Sequence, residues 1–208
     1  MVESSRALVV FDLDGTLIRG YTVCEAIAKH IGKLPRMREL EALTWSSVFA
    51  AREEMASWYA RYTREHLLEG VQHVRLAPGA EEGVSLLRKH GVTVAICSIT
   101  WEFGAEWVAC NLGVQHFVGT KLEPSGQIVH FLPEDKPQWT AALRSRLGIP
   151  AKQVAAVGDS SGDIPLLQAV QHAYFVGKDF PEALRQHAIH VPDGDIREIA
   201  LQIVNSLV

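Results

Sequence analysis

Three short apolar runs in this chain do not alternate, and each stops at a polar residue capable of chemistry. Ala7-Leu8-Val9-Val10-Phe11 ends at Asp12, Val92-Thr93-Val94-Ala95-Ile96-Cys97 at Ser98, and Val154-Ala155-Ala156-Val157 at Gly158-Asp159. A strand with one wet face alternates apolar with polar residues; a run that is apolar throughout belongs to a strand covered on both faces. Residues 173–176 and 189–191 also have strand length. Helical stripes lie between these runs. Residues 79–90 place Ala80, Gly83, Val84 and Leu87 on one side and stop at Gly91; residues 137–147 gather Trp139, Ala142, Leu143 and Leu147 between Pro137 and Gly148. Residues 163–170 and 195–207 read as further helices. Strands alternating with helices predict an α/β fold, a parallel sheet with helices on both faces.

Residues 18–77 break that rhythm. They read as helix only, over 22–31, 36–50 and 52–70, and carry nine Lys/Arg against seven Asp/Glu, whereas the rest of the chain carries eleven against seventeen. The pattern predicts a helical cap (18–77) inserted into an α/β core (1–17 and 78–208), with extra helices packed on the sheet as the alternative. A length of 208 residues suffices for such a core and insertion. The net charge of -4 argues against nucleic acid as a partner. No apolar run approaches the roughly 20 residues that span a bilayer, and residues 1–6 lack the apolar stretch of a signal peptide. No membrane partner is expected, and the expected compartment is cytoplasmic. Cys24, Cys97 and Cys110 are too few and scattered for a disulfide framework or a zinc site, and the nine His residues form no ligand-like cluster. Oligomeric state is not legible.

In an open α/β sheet, ligands bind beyond the carboxyl ends of the strands. Asp12, Ser98 and Asp159 stand there, and the flanking sequence adds Asp14 and Asp163. Four carboxylates at one edge repel unless a cation or proton intervenes, and an all-oxygen set suits a hard cation such as Mg²⁺. Asp12 and Asp14 alternate along a strand end and reach one cavity if the chain bends at Gly15. A carboxylate nucleophile splits ester hydrolysis into two steps, and a second acid serves the leaving group and then water. An Asp-Gly turn chosen for turn chemistry alone is the competing reading. Lys136 precedes Pro137 at the start of a helix, where the dipole disfavours a cation by a few tenths of a kcal/mol. It fits if it faces an anion, or if Glu134 and Asp135 satisfy it. Ser98 can donate its hydroxyl to a phosphoryl oxygen.

Asp12-Leu13-Asp14-Gly15-Thr16, Ser98, Lys136 and Gly158-Asp159-Ser160-Ser161-Gly162-Asp163, in that order and spacing, resemble the four motifs of the haloacid dehalogenase superfamily of phosphohydrolases over essentially the whole chain. The insertion after the first motif looks like the helical cap of the branch containing phosphoserine phosphatase, as do Pro78-Gly79-Ala80-Glu81-Glu82 and Asp195-Ile196-Arg197-Glu198-Ile199. The resemblance implies a Rossmann-like core and a Mg²⁺-dependent phosphatase that hydrolyses a small phosphate monoester through an aspartyl-phosphate. It implies Asp12 as nucleophile and metal ligand, and Asp14 as acid/base that ligates metal through its carbonyl. It implies Ser98, Ile99 and Lys136 around the phosphoryl oxygens, and Asp159 and Asp163 at the metal.

The chain also departs from the phosphoserine branch. Gly15 stands where Ser is usual, Tyr21 where an early cap acid is usual, Ile99-Thr100-Trp101 where glycines follow the Ser, and Gly162 where Asn is usual. Phosphoserine is therefore not favoured over other small phosphate esters. Glu25, one turn after Tyr21, can substitute for that acid only if its helix presents that face to the site; Arg52, Arg61 and Arg64 are instead candidates for a substrate carboxylate or second phosphate. A phosphotransferase using the same intermediate and a non-catalytic phosphometabolite-binding module are the rival readings.

Overall fold

The computed structural model describes residues 7–43 and 45–207. In chain order it runs β1 (Ala7–Phe11), β2 (Ile18–Arg19), α1 (Val23–His30), α2 (Leu34–Glu41), α3 (Val48–Tyr59), α4 (Arg64–Val71), β3 (Arg75–Leu76), α5 (Ala80–Lys89), β4 (Val92–Trp101) and α6 (Glu102–Leu112). It continues with β5 (His116–Leu122), β6 (Ile128–Val129), α7 (Asp135–Arg146), β7 (Val154–Gly158), α8 (Ile164–Gln168), β8 (His172–Phe175), β9 (Ala188–His190) and α9 (Ile196–Leu207). Seven strands form one sheet in the order β6-β5-β4-β1-β7-β8-β9. All neighbouring pairs are parallel except β5 and β6.

The non-alternating runs behave as expected. Ala7, Val9 and Phe11 of β1 enter one apolar cluster, with residues of α5, α6 and α9, while Leu8 and Val10 enter a second with Leu143 of α7 and Leu166 and Leu167 of α8. Both faces of β1 are thus dry. Because β1 pairs in parallel with β4 on one side and β7 on the other, the residues following all three emerge at one edge. The connection reverses direction at β1, which opens a crevice at that edge.

The sequence reading of 18–77 as helix only needs correction. The segment enters and leaves through an antiparallel two-stranded ribbon, Ile18 opposite Leu76 and Arg19 opposite Arg75. The expected helix over 36–50 ends at Glu41, and the one over 52–70 is interrupted before Thr63, whose side chain caps α4 by accepting from the His66 N–H. Thr63 offers its hydroxyl to an orphan helical N–H, so it starts a helix better than it continues one. Elements α6, β5 and β6 were not among those expected. The two cap-branch stretches Pro78–Glu82 and Asp195–Ile199 meet each other: Ile196 N–H donates to Pro78 O at 2.9 Å, and Asp195 Oδ1 accepts from Arg197 N–H at 2.8 Å. They fasten α9 beside α5. Among the described residues no helix is long and apolar enough to cross a membrane.

Candidate active site

Asp12 is the first residue past β1, and its N–H donates to Val157 O of β7 at 2.9 Å, so the sheet hydrogen bonding itself fixes its position. The chain then turns. Thr16 and Ile18 N–H groups both donate to Leu13 O, and Gly15 takes φ +86. Glycine takes this conformation without strain, and with Asp159 in its present place a Cβ would fall 2.2 Å from Asp159 Oδ2. The turn thereby lets the β7 end approach the β1 end, and Thr16 Oγ1 donates to Asp159 Oδ1 at 2.9 Å.

Lys136 joins these strand ends. In the first turn of α7 and 1% exposed, it donates from Nζ to Asp12 Oδ1 at 2.7 Å and to Asp163 Oδ1 at 2.6 Å. The alternative in which Glu134 and Asp135 satisfy it does not hold: Asp135 accepts instead from Leu132 N–H. Asp163 Oδ2 takes the N–H groups of Asp159 and Ser160 and the Ser160 hydroxyl, all at 3.1 Å. Carboxylate oxygens of Asp12, Asp159 and Asp163 come within 4.8 Å of one another.

One ammonium does not balance three carboxylates. Burial and then Asp163 raise the Asp12 carboxyl well above its ordinary range, against the pull of Lys136. Burial, followed by Asp163, pushes Asp159 up to about 6. Burial pulls the Lys136 ammonium down, but Asp12 and Asp163 more than reverse this, so the ammonium is retained. Removing it would leave buried carboxylates uncompensated, at a cost of about 3–5 kcal/mol. The residual negative charge and all-oxygen donors fit a hard divalent cation.

Asp14 stands apart from this cluster but lines the same cavity, of about 490 Å³, with Asp12, Ser98, Ile99 and Lys136. Its Oδ1 accepts from Val23 N–H, the first of α1, at 2.7 Å. Thr22 and Glu25 close a capping box on that helix start. Burial raises Asp14 to about 7 despite the hydrogen bonds from Val23 and Thr100. Ser98 and Ile99 reach the cavity because β4 bulges. Cys97 pairs with Val118 but Trp101 with Thr120, so three residues of β4 face one of β5.

The opposite wall comes from α1–α3, with Met37, Leu40, Glu41 and Met55. Glu41 was missed by sequence reasoning. It accepts from the Thr22 hydroxyl at 2.8 Å, and burial raises its carboxyl. Its only sequence signal was its place at the end of a helix in the insertion. The condition set for Glu25, a helix face turned to the site, is not met: it is spent on the Thr22 N–H and on Arg38, and neither it nor Tyr21 lines the cavity. Arg52 does line it, but its guanidinium donates to Ile99 O and Phe131 O, both at 2.9 Å. Arg64 pairs with Glu106, and neither it nor Arg61 reaches the cavity.

Residues 9–168 match the family model of haloacid dehalogenase-like hydrolases. The chain belongs to that family. This hydrolase is 30% identical to a phosphoserine phosphatase of Albidiferax ferrireducens over 188 residues, covering 77% of this chain and 74% of the relative. It is 29% identical to a phosphoserine phosphatase of Mycobacterium tuberculosis, covering 79% of this chain but 42% of the relative, so it spans less than half of that longer protein. A solved phospho-aspartyl intermediate analogue of phosphoserine phosphatase superposes with a TM-score of 0.78 at 20% identity, covering 95% of this chain and 99% of that one. That likeness supports the fold of this hydrolase.

Proposed function

We propose that this hydrolase is a phosphatase acting on a small phosphate monoester through a phosphorylated Asp12. The observation that carries the reading is the position of Lys136, buried between Asp12 and Asp163 at the floor of a cavity that also holds a protonatable Asp14. An Asp12 carboxylate oxygen attacks phosphorus and the bond to the leaving oxygen breaks. Asp14, as the carboxylic acid, gives that oxygen its proton. The resulting Asp14 carboxylate then takes a proton from water as that water attacks the aspartyl-phosphate; phosphate leaves and Asp12 is regenerated. Ser98, Ile99 and Lys136 hold phosphoryl oxygens. Asp12, Asp159 and Asp163 would hold Mg²⁺, with the Asp14 carbonyl as a further ligand. When bound, the ion supplies positive charge to the phosphoryl group. Residues 18–77 serve as the cap: α1 sets the Asp14 carboxyl through Val23, and α2 and α3 wall the leaving-group lobe.

The wall supports an apolar or cationic leaving group over an anionic one. Glu41 faces the lobe, while Arg52 has one nitrogen committed to two backbone carbonyls. Phosphoserine is therefore a candidate whose ammonium Glu41, not Glu25, would meet. The test is rapid acid quench with a ³²P-labelled aryl phosphate and Mg²⁺. Label should appear on the protein, chase off into inorganic phosphate, and be absent in Asp12→Asn. Turnover without protein-bound label would overturn the covalent route. Transfer to added alcohols in place of water would establish the phosphotransferase instead.

A further inference from the structure

Although the nine His residues show no ligand-like spacing along the chain, folding brings two of them together. His30 ends α1; His66 and Glu69 lie one turn apart on α4. His30 Nε2 and His66 Nδ1 both stand 3.3 Å from the same oxygen, Glu69 Oε2. The ligand atoms of all three residues lie within 4.8 Å of one another. The His30 Nε2 is shielded from solvent and has no hydrogen-bond partner among the described residues, so its approach to Glu69 is off-angle for such a bond. The two rings are 4.5 Å apart. One ring nitrogen of each imidazole thus converges on a single carboxylate oxygen.

We propose that His30, His66 and Glu69 form a transition-metal site, Zn²⁺ by preference, that clamps α1 to α4 on the helical insertion. In a tetrahedral zinc site with ligands about 2.0–2.1 Å from the ion, neighbouring ligand atoms lie about 3.3–3.4 Å apart. The two distances to Glu69 already match that edge. Two imidazoles and one carboxylate suit Zn²⁺, whereas Mg²⁺ prefers oxygen alone, so this site and the carboxylate cluster select different ions. The pocket is also built. Gly70 brings α4 onto α1, since a Cβ there would meet Ile27 Cα at 2.9 Å and His30 Cβ at 3.0 Å. The Tyr62 ring stacks on His66 at 5.0 Å and fixes its plane. The Glu69 side chain is 56% exposed, so solvent reaches the cluster from that side. The clamp closes α1 at its last residue, while its first N–H holds Asp14.

The test is calorimetric titration of the full chain with Zn²⁺ in excess Mg²⁺, alongside His66→Ala and Glu69→Gln. Both substitutions lie on an exposed helix face, and Zn²⁺ taken by the carboxylate cluster is common to all three proteins. The wild type should bind one Zn²⁺ more than either variant, or bind it at least tenfold more tightly. Co²⁺ should give the intense visible bands of a tetrahedral site in the wild type only. Equal Zn²⁺ stoichiometry and affinity in wild type and both variants, or no Zn²⁺ uptake by the wild type, would overturn the proposal.

Discussion

The floor and the roof of the cavity are built on different principles. At the floor, Asp12, Lys136, Asp163, Asp159 and Thr16 come from the ends of β1 and β7 and from α7, and are joined by hydrogen bonds of 2.6 to 3.1 Å, the one between Asp159 and Asp163 through the Asp159 N–H. The roof is mainly apolar, with Met37, Leu40 and Met55, and its two charged groups are tied to its own Thr22 and to two core carbonyls. A network of buried charges tolerates no vacancy, because each member compensates the next. An apolar wall tolerates exchange at constant volume. On the proposed mechanism, reaction type would therefore belong to the floor and leaving-group choice to the roof. A change in the floor should lower the rate for every substrate, and a change in the roof should reorder the substrates.

The hardest strike on that division is Asp12→Asn. It keeps the shape of the side chain and removes the proposed nucleophile, so turnover of every ester should fall by on the order of 10⁴ or more. Circular dichroism would verify the fold, and a chromogenic aryl phosphate the activity. A well-folded variant of near-normal activity breaks the floor assignment. Asp14→Asn is the next largest. General acid catalysis contributes about 10²–10⁴, and most where the leaving group needs a proton. Alkyl phosphates should lose that factor, while an aryl phosphate, whose phenolate leaves unaided, should lose far less in its first step. In the wild type, kcat/KM for an alkyl ester should fall as pH rises through about 7, the value to which burial lifts Asp14. An identical loss for both ester classes in the phosphorylation step, read by single-turnover quench, would assign Asp14 to the floor network alone.

The floor was more legible in the sequence than the roof, for a physical reason. Asp12, Ser98 and Asp159 each end a run whose unbroken apolarity follows from burial on both sheet faces, so strand, edge and chemistry are written in consecutive residues. Lys136 was legible as a cation placed against a helix dipole. Glu41 was not, because a carboxylate at the end of an amphipathic helix is ordinary in composition and its value here depends on how α2 is set over β1. Glu25 shows the same limit: it is near Tyr21 in sequence, but which face its helix presents was not legible, and it is consumed by the cap of that helix. The ribbon β2–β3 escaped detection because strands of two residues carry no periodicity. His30 and His66 came together only through the close approach of α1 and α4 that Gly70 permits.

A smaller effect tests the charge balance of the floor. Burial and Asp163 lift Asp159 to about 6, above an unfolded value of roughly 3.9. A carboxyl raised in this way favours the fold fully below the unfolded value, and that contribution is lost as pH rises through about 6. The metal-free protein should therefore lose stability from this group between about pH 4 and 7. Cation binding needs ionised carboxylates, so the Mg²⁺-induced rise in Tm should grow over the same window. At a hundredfold excess over Kd the gain is about 2.7 kcal/mol, or roughly 5–10 °C for a domain of this size. Differential scanning fluorimetry at pH 5 and pH 7.5, with Mg²⁺ or chelator, measures it. A Tm shift that is equal at both pH values would remove Asp159 from the metal site.

The smallest effect probes the roof. Glu41 is the acid on the wall opposite Asp12, its carboxyl raised by burial and held by Thr22. If it meets a substrate ammonium, Glu41→Gln should lower kcat/KM for phosphoserine by about 10-fold, the tenfold that 1.36 kcal/mol represents. Phosphate esters without an amino group should change little, since Gln keeps the volume and the bond from Thr22. Glu25→Gln, which alters only the start of α1 and its pair with Arg38, should leave the ranking of esters unchanged. The reverse pattern, with Glu25→Gln erasing a phosphoserine preference and Glu41→Gln neutral, would mean that α1 presents a different face to bound substrate. An equal fall for all esters in Glu41→Gln would place this residue with the floor. It would then be steadying Thr22 and, through the start of α1, the Asp14 carboxyl, and the line between the two regions would have to be redrawn at α2.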